Sequence, residues 1–459
     1  MIRYSRLILA EDFKSWLPAI ITVTLITVLV GVSANQFTWT HNEVFMTAVA
    51  LSGHDILEFR IVSETIYLLV APLAFLALTV VGSATVERVR ATFAQWRLVG
   101  ASPKQVRRSI WTIVAIAAGI GAFVGSILTI PASYVLIPAF NLMAVSDFVG
   151  PQFQPSLVAW LLSFSLSFIT CWFGAYAPAI RASKVGPVEV FRKPSGVHSR
   201  MWWRLTLAAI LLLSSLGLMI APGFISTVDA GVAVMFNLAL NAGMMAVIAV
   251  YLLGSTLTVL LLRFFASIAN RLRLVTATTA CRAASERTGT STNTLAPLAA
   301  GIGGAGVLLV STAMSTQIIH ATGYQGEVNL TDTLIMLAII SVVCLITSAA
   351  VVALSGRDIE REQSLLRVAG MSPGMITRWY GWQAVALAAT AIVMALIPIS
   401  IAVATAALGA HALIGELRIA IPWSAVAIGF IASSAVLFFI MYLPAKKPLG
   451  ESVATGLRR

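Results

Sequence analysis

Two short polar segments, 270 residues apart, hold most of the side chains that could do chemistry in this largely apolar chain. AQWRLVGASPKQV (residues 94–106) and SLLRVAGMSPGMI (residues 364–376) align Arg97, Gly100, Ser102 and Pro103 with Arg367, Gly370, Ser372 and Pro373. Lys104, Arg107 and Arg108 extend the first segment, and Arg378 the second. Neither segment pairs a nucleophile with a base. Both are basic and turn-forming, so what they offer is a rigid element through which a soluble partner could pass force.

Other candidate groups are sparse. Glu64 and Asp332 begin two apolar runs at comparable places and read as contacts at an outer vestibule. Each follows Ser63 or Thr331, so capping of a helix start explains the same pattern. His41, His54, His320 and His411 fall in outer segments, with Asp55 and Glu58 near His54, but no metal-ligand spacing joins them. Cys171, Cys281 and Cys344 are scattered, with no CxxC, and read as small apolar side chains. No Ser-His-Asp or Cys-His arrangement is present. No GxxxxGK[ST] occurs either, so the chain has no P-loop to cradle nucleotide phosphates.

The elements that position these residues are membrane spans. The chain has 459 residues, 59% hydrophobic and 10% charged, against about 25% charged in soluble domains. A net charge of +12 does not indicate nucleic-acid binding, which needs a basic face on a soluble fold. Ten apolar runs are long enough to cross the bilayer: 16–34, 63–84, 109–137, 156–179, 204–224, 232–262, 297–318, 332–354, 380–408 and 422–443. With the N-terminus inside, the inner segments hold 28 Lys and Arg and the outer loops only Arg60 and Arg418. The positive-inside rule therefore places both termini in the cytoplasm. The first run has no clear cleavage site after it and reads as a retained span.

The chain repeats itself. LTIPAS (128–133) faces ALIPIS (395–400), and YAPAIRASKVGPVEVFR (176–192) faces YLPAKKPLGESVATGLR (442–458). Spans one to four thus correspond to spans seven to ten. Both sets start inside, so the repeat is parallel, unlike inverted-topology carriers. The predicted architecture is an all-α polytopic membrane protein of ten spans arranged 4+2+4. The first repeat covers 1–192, a linker and central two-span hairpin 193–265, and the second repeat 266–459. The Gly pair Gly121 and Gly125, and AGIGGAG at 300–306, read as close-packing faces, and Pro72, Pro131 and Pro398 as kink sites.

At each opening segment, a charged extension with helical spacing (Phe93, Trp96 and Arg97; Leu365, Leu366 and Val368) carries a span beyond the bilayer. Gly100 and Gly370 suit a left-handed C-cap, Ser102 and Ser372 an N-cap, and Pro103 and Pro373 the first helical position. The predicted shape is a helix, a tight corner, and a short helix lying across the cytoplasmic face.

RLVGASPKQV and RVAGMSPGMI resemble the signature of the FtsX-like permeases of ATP-binding-cassette transporters. The 4+2+4 layout is similar to the bacitracin-type antimicrobial-peptide resistance permeases. Those carry a large extracytoplasmic domain between spans seven and eight, where this chain has only HATGYQGEVNLTD (320–332). The resemblance implies that Gly100–Arg108 and Gly370–Arg378, with Arg97 and Arg367, are coupling elements seated on an ATPase. It implies two ATPase subunits that bind the ATP and Mg, and a bacterial cytoplasmic-membrane location. The expected function is a permease subunit exporting or extracting a hydrophobic or amphipathic substrate such as a peptide, antibiotic or lipid. A mechanotransmission subunit that transports nothing is the alternative. An ion-coupled carrier is disfavoured by the scarcity of charge inside the spans.

Overall fold

The computed structural model describes residues 13–145, 148, 150–184, 202–224, 232–286, 288–321 and 365–417, with scattered positions among 333–363 and 419–439. The chain divides into two compact units, residues 1–197 and 198–459. Among the described residues, eight helices are long and apolar enough to cross a membrane. The runs predicted at 332–354 and 422–443 lie largely outside the described residues.

The first unit contains α1 (Phe13–Trp39), α2 (Glu43–Ser52), α3 (Ile56–Leu98), α4 (Pro103–Ala144) and α5 (Leu157–Lys184). Helix α1 packs along α4, and α3 along α5. Glycine sets the first of these contacts. An added Cβ at Gly121 would lie 2.9 Å from the Ile20 carbonyl oxygen, and one at Gly125 2.6 Å from that of Thr24. Backbones this close let the Thr24 hydroxyl donate across the pair to the Gly121 carbonyl at 3.2 Å. The predicted packing face is therefore real. Toward the other end of the same pair, Asn35 Nδ2 donates to Ser133 Oγ at 2.9 Å and Gln36 Nε2 to Asn141 Oδ1 at 3.1 Å.

The α1–α3 connection folds back through α2, capped by Asn42 at its start and by Gly53 (φ 78°) at its end. Trp39, Phe45, Phe59, Phe148 and Phe153 close over it as an aromatic cluster, with edge-on pairs such as Phe45–Phe59 at 5.3 Å. Asp55 caps α3 by accepting from the Leu57 amide at 3.0 Å. Ser63 and Glu64 therefore sit two turns inside α3, not at its start, and the capping explanation does not apply to them.

The second unit contains α6 (Trp202–Ile220), α7 (Val232–Leu252), α8 (Gly254–Arg271), α9 (Val275–Glu286), α10 (Thr288–Ala321) and α11 (Pro373–Ile414). Helices α10 and α11 form its central pair, flanked by α7. Gly303 of the small-residue run faces Pro398 and Val247, with an added Cβ 3.2 and 3.3 Å from them. The apolar run 232–262 is not one helix: α7 ends at Leu252 and α8 starts at Gly254, with Leu253 between them. All three cysteines are buried and unbridged. In α9, outside the spans, burial pushes the Cys281 thiol above its usual range.

Candidate functional site: two like-built helical corners

Helix α3 has 43 residues, which makes it about 65 Å long, roughly twice the hydrocarbon thickness. Its apolar span ends at Val86, so the stretch to Leu98 projects about 18 Å farther. The projection stays helical because it packs. Phe93 is buried in a cluster with Trp16 of α1, Val106, Ile110 and Ile113 of α4, and Ala175, Ala179 and Ala182 of α5. The corner is thus carried on a stem made from the ends of four helices.

At the tip, the Ala101 amide donates to the Trp96 carbonyl at 3.0 Å and the Gly100 amide to Arg97 at 3.1 Å. These six-to-one and five-to-two bonds define a Schellman termination, with Gly100 in the left-handed position at φ 97°. The apolar pair that accompanies such a motif, Trp96 and Ala101, packs on the stem. Ser102 then caps α4, accepting from the Gln105 amide at 3.3 Å, while Gln105 Oε1 accepts from the Ser102 amide at 2.9 Å. Pro103 takes the first helical position, where no amide hydrogen is required.

The second corner repeats this. Met371 donates to the Leu366 carbonyl at 3.0 Å and Gly370 to Arg367 at 2.9 Å, with Gly370 at φ 88°. Leu366 and Met371 pack on Ala280, Ile376, Trp379 and Tyr380, so α9 braces this corner. Ser372 accepts from the Met375 amide at 3.4 Å, and Pro373 comes next. Position by position, 363–380 is buried and exposed as 93–110 is wherever both are described. Two segments with few identical residues therefore build one shape.

One expectation is overturned. No short helix lies across the face. Pro103 starts a single 42-residue helix that runs through the third span, and Pro373 starts another of 42 residues. The reason is a continuous buried stripe: Val106, Ser109, Ile110, Ile113, Val114 and Ala117 in α4, and Ile376, Trp379, Tyr380, Gln383, Ala384 and Leu387 in α11. Each falls at the three-and-four spacing of one helix face, so packing gives no reason to bend after the corner.

The predicted site residues divide by role. Lys104, Arg108 and Arg378 are exposed, as are Ser102, Pro103, Ser372 and Pro373. Leu98 and Val99 add an apolar tip, 53% and 90% exposed, matched by Val368 at 65%. Arg97 instead turns inward: its Nη1 donates to the Ser183 carbonyl at 3.3 Å, tying the corner to the end of α5. Arg367 is likewise half-buried. Arg107 lies over the Trp111 ring at 5.2 Å, and Trp111 stacks on Tyr176 at 5.5 Å. Glu64 is exposed on α3, and Asp332 lies outside the described residues. No cluster of three or more His, Cys, Asp or Glu side chains suits a metal among the described residues. Gln105 was not singled out from sequence, although Ser102-x-x-Gln105 is a capping-box pattern; the second corner has Met375 in that place.

The caps give a local prediction. Ser102→Ala should cost the first turn of α4 about 1 kcal/mol. Hydrogen exchange at the Gln105 amide should rise about fivefold while the melting of the whole chain hardly moves. Ser372→Ala should do the same at Met375.

Fold and site together define a polytopic helical membrane protein with two corners of one design. Residues 64–187 match the family model of the FtsX-like permease C-terminal domain, a stretch that runs from the span of α3 through the first corner, α4 and α5. That part of the chain is similar to an FtsX-like permease domain, in line with the motif resemblance. No curated protein matches the chain.

Proposed function

We propose that the chain is the permease subunit of an ATP-binding-cassette transporter, with ten spans in a 4+2+4 order and both termini cytoplasmic. Two copies of a separate ATPase, which bind the ATP and Mg, seat on the two corners. Their cycle drives export or extraction of a hydrophobic or amphipathic substrate such as a peptide, antibiotic or lipid. The observation that carries this reading is the shared corner geometry at Gly100 and Gly370, each at positive φ and each beginning a 42-residue helix. A corner continuous with a span is a lever: displacement of its tip is passed directly into α4 or α11, at least as far as Pro131 or Pro398.

Co-purification tests it. The chain expressed with its cognate ATPase should elute at two ATPase copies per permease, with ATP hydrolysis stimulated over the ATPase alone. A chain that elutes alone at native expression levels would overturn the proposal. ATP-dependent release of labelled substrate from reconstituted vesicles separates export from pure signalling.

A further inference from the structure

Helix α8 shows three faces to three surroundings. Gly254, Thr258, Leu262, Ala266 and Ala269 form its buried stripe. Leu262 and Ala266 share a core cluster with Cys281 of α9 and with Leu295, Leu298 and Ile302, where the span of α10 begins. Helix α8 packs chiefly on α9, whose last residue, Glu286, stands nine residues before the span of α10 begins at Leu295, so α8 lies at the level of the membrane edge, directly after the span that ends at Leu252. A second stripe, Leu260, Phe264 and Ile268, spaced by four, is 59, 56 and 39% exposed. The third, Arg263, Ser267 and Arg271, is also exposed, and Arg273 comes just after it at φ 59°. No acidic residue occurs between Asp229 and Glu286, while Arg282 adds a fourth cation.

An exposed apolar stripe beside a cationic one, at the membrane edge, fits one environment best. The apolar stripe is satisfied by acyl chains and the arginines by phosphate headgroups. We propose that α8, with Arg263, Arg271 and Arg273, is a binding surface for anionic phospholipid of the cytoplasmic leaflet. Bound lipid there would bear on the second corner, because α9, which packs on α8, also packs on Ile376, Trp379 and Tyr380. The inference takes its side of the membrane from the topology proposed above and stands without the ATPase assignment.

The test uses the full chain in nanodiscs of phosphatidylcholine containing phosphatidylglycerol, with bromine on the acyl chains of one lipid or the other. A bimane label on Leu260→Cys should be quenched more strongly by brominated phosphatidylglycerol than by an equal amount of brominated phosphatidylcholine. The preference should fall about fivefold for each arginine replaced by glutamine at 263, 271 and 273, and persist with lysine. The glutamine and lysine variants carry the same number of changes, so a folding defect would show in both. Equal quenching by the two lipids would overturn headgroup recognition. No quenching by either, with iodide quenching instead, would place the face in water and overturn the proposal. Loss of ATPase co-purification in the glutamine variant, with lipid quenching unchanged, would reassign the surface to a protein partner.

Discussion

Replacing Gly100 and Gly370 together with valine is expected to abolish ATPase stimulation while leaving the helical bundles folded. Both glycines stand at positive φ, 97° and 88°, where a β-branched residue is a conformational outlier. The strain is about 1–2 kcal/mol or more at each site. Nothing lies within 4 Å of a Cβ added at either position, so the cost is purely backbone. It is relieved by opening the corner, which breaks the Ala101–Trp96 and Met371–Leu366 bonds and swings the exposed tip. The stems below, with Phe93, Val106 and Ile110 buried in one unit and Ile376 and Trp379 in the other, do not depend on those bonds. The measurement is hydrolysis by the reconstituted complex beside thermal unfolding of the chain. Melting within a few degrees of wild type and loss of at least tenfold in stimulation is the expected pair. Unchanged stimulation in the double variant would show that the corners do not carry coupling. Gly100→Ala and Gly370→Ala should give a smaller loss, since alanine tolerates the left-handed region better than valine.

The corners were legible because their signals are local. A left-handed glycine, a capping serine and a helix-starting proline each act on one or two peptide units, and their order along the chain is the order of the turn. The Gly121–Gly125 pair was legible for a similar reason: only a missing side chain allows the approach to α1 that the structure shows. The path of the chain beyond each corner was not legible in the same way. Gly-x-Ser-Pro reports where a helix starts and says nothing about where it ends. The unbroken helical run from Pro103 is set by Val106, Ile110 and Ile113 meeting residues of α1, α3 and α5, which are remote in sequence. The break at Leu253 was hidden too. It carries no side-chain cap, and hydropathy continues across it, so only the packing of Leu262 and Ala266 against α9 and α10 separates α8 from the span. Arg97 shows the same limit. Its position on the motif says nothing of the Ser183 carbonyl, more than eighty residues away, that accepts from its Nη1.

The second large effect expected is at Gly125. Gly125→Leu should destabilise the first unit by about 3 kcal/mol or more, near the upper end for overpacking, because the obstruction is backbone. An added Cβ there would stand 2.6 Å from the Thr24 carbonyl oxygen and 2.7 Å from Thr27 Cβ, and neither can rotate away. Relief requires α1 and α4 to separate. That would also break the Thr24–Gly121 hydrogen bond and loosen the contacts of Asn35 and Gln36 farther along the same pair. Gly217→Leu in α6 is the matched control, since no atom lies within 4 Å of a Cβ at that position. The readout is melting in detergent together with the yield of monodisperse protein. Gly125→Leu should melt well below wild type and Gly217→Leu near it. Near-equal melting of the two variants would mean that α1 and α4 do not meet as closely as their glycines allow. In that case, movement of α4 would not be passed to α1, and the lever proposed for the first corner would end at its own helix.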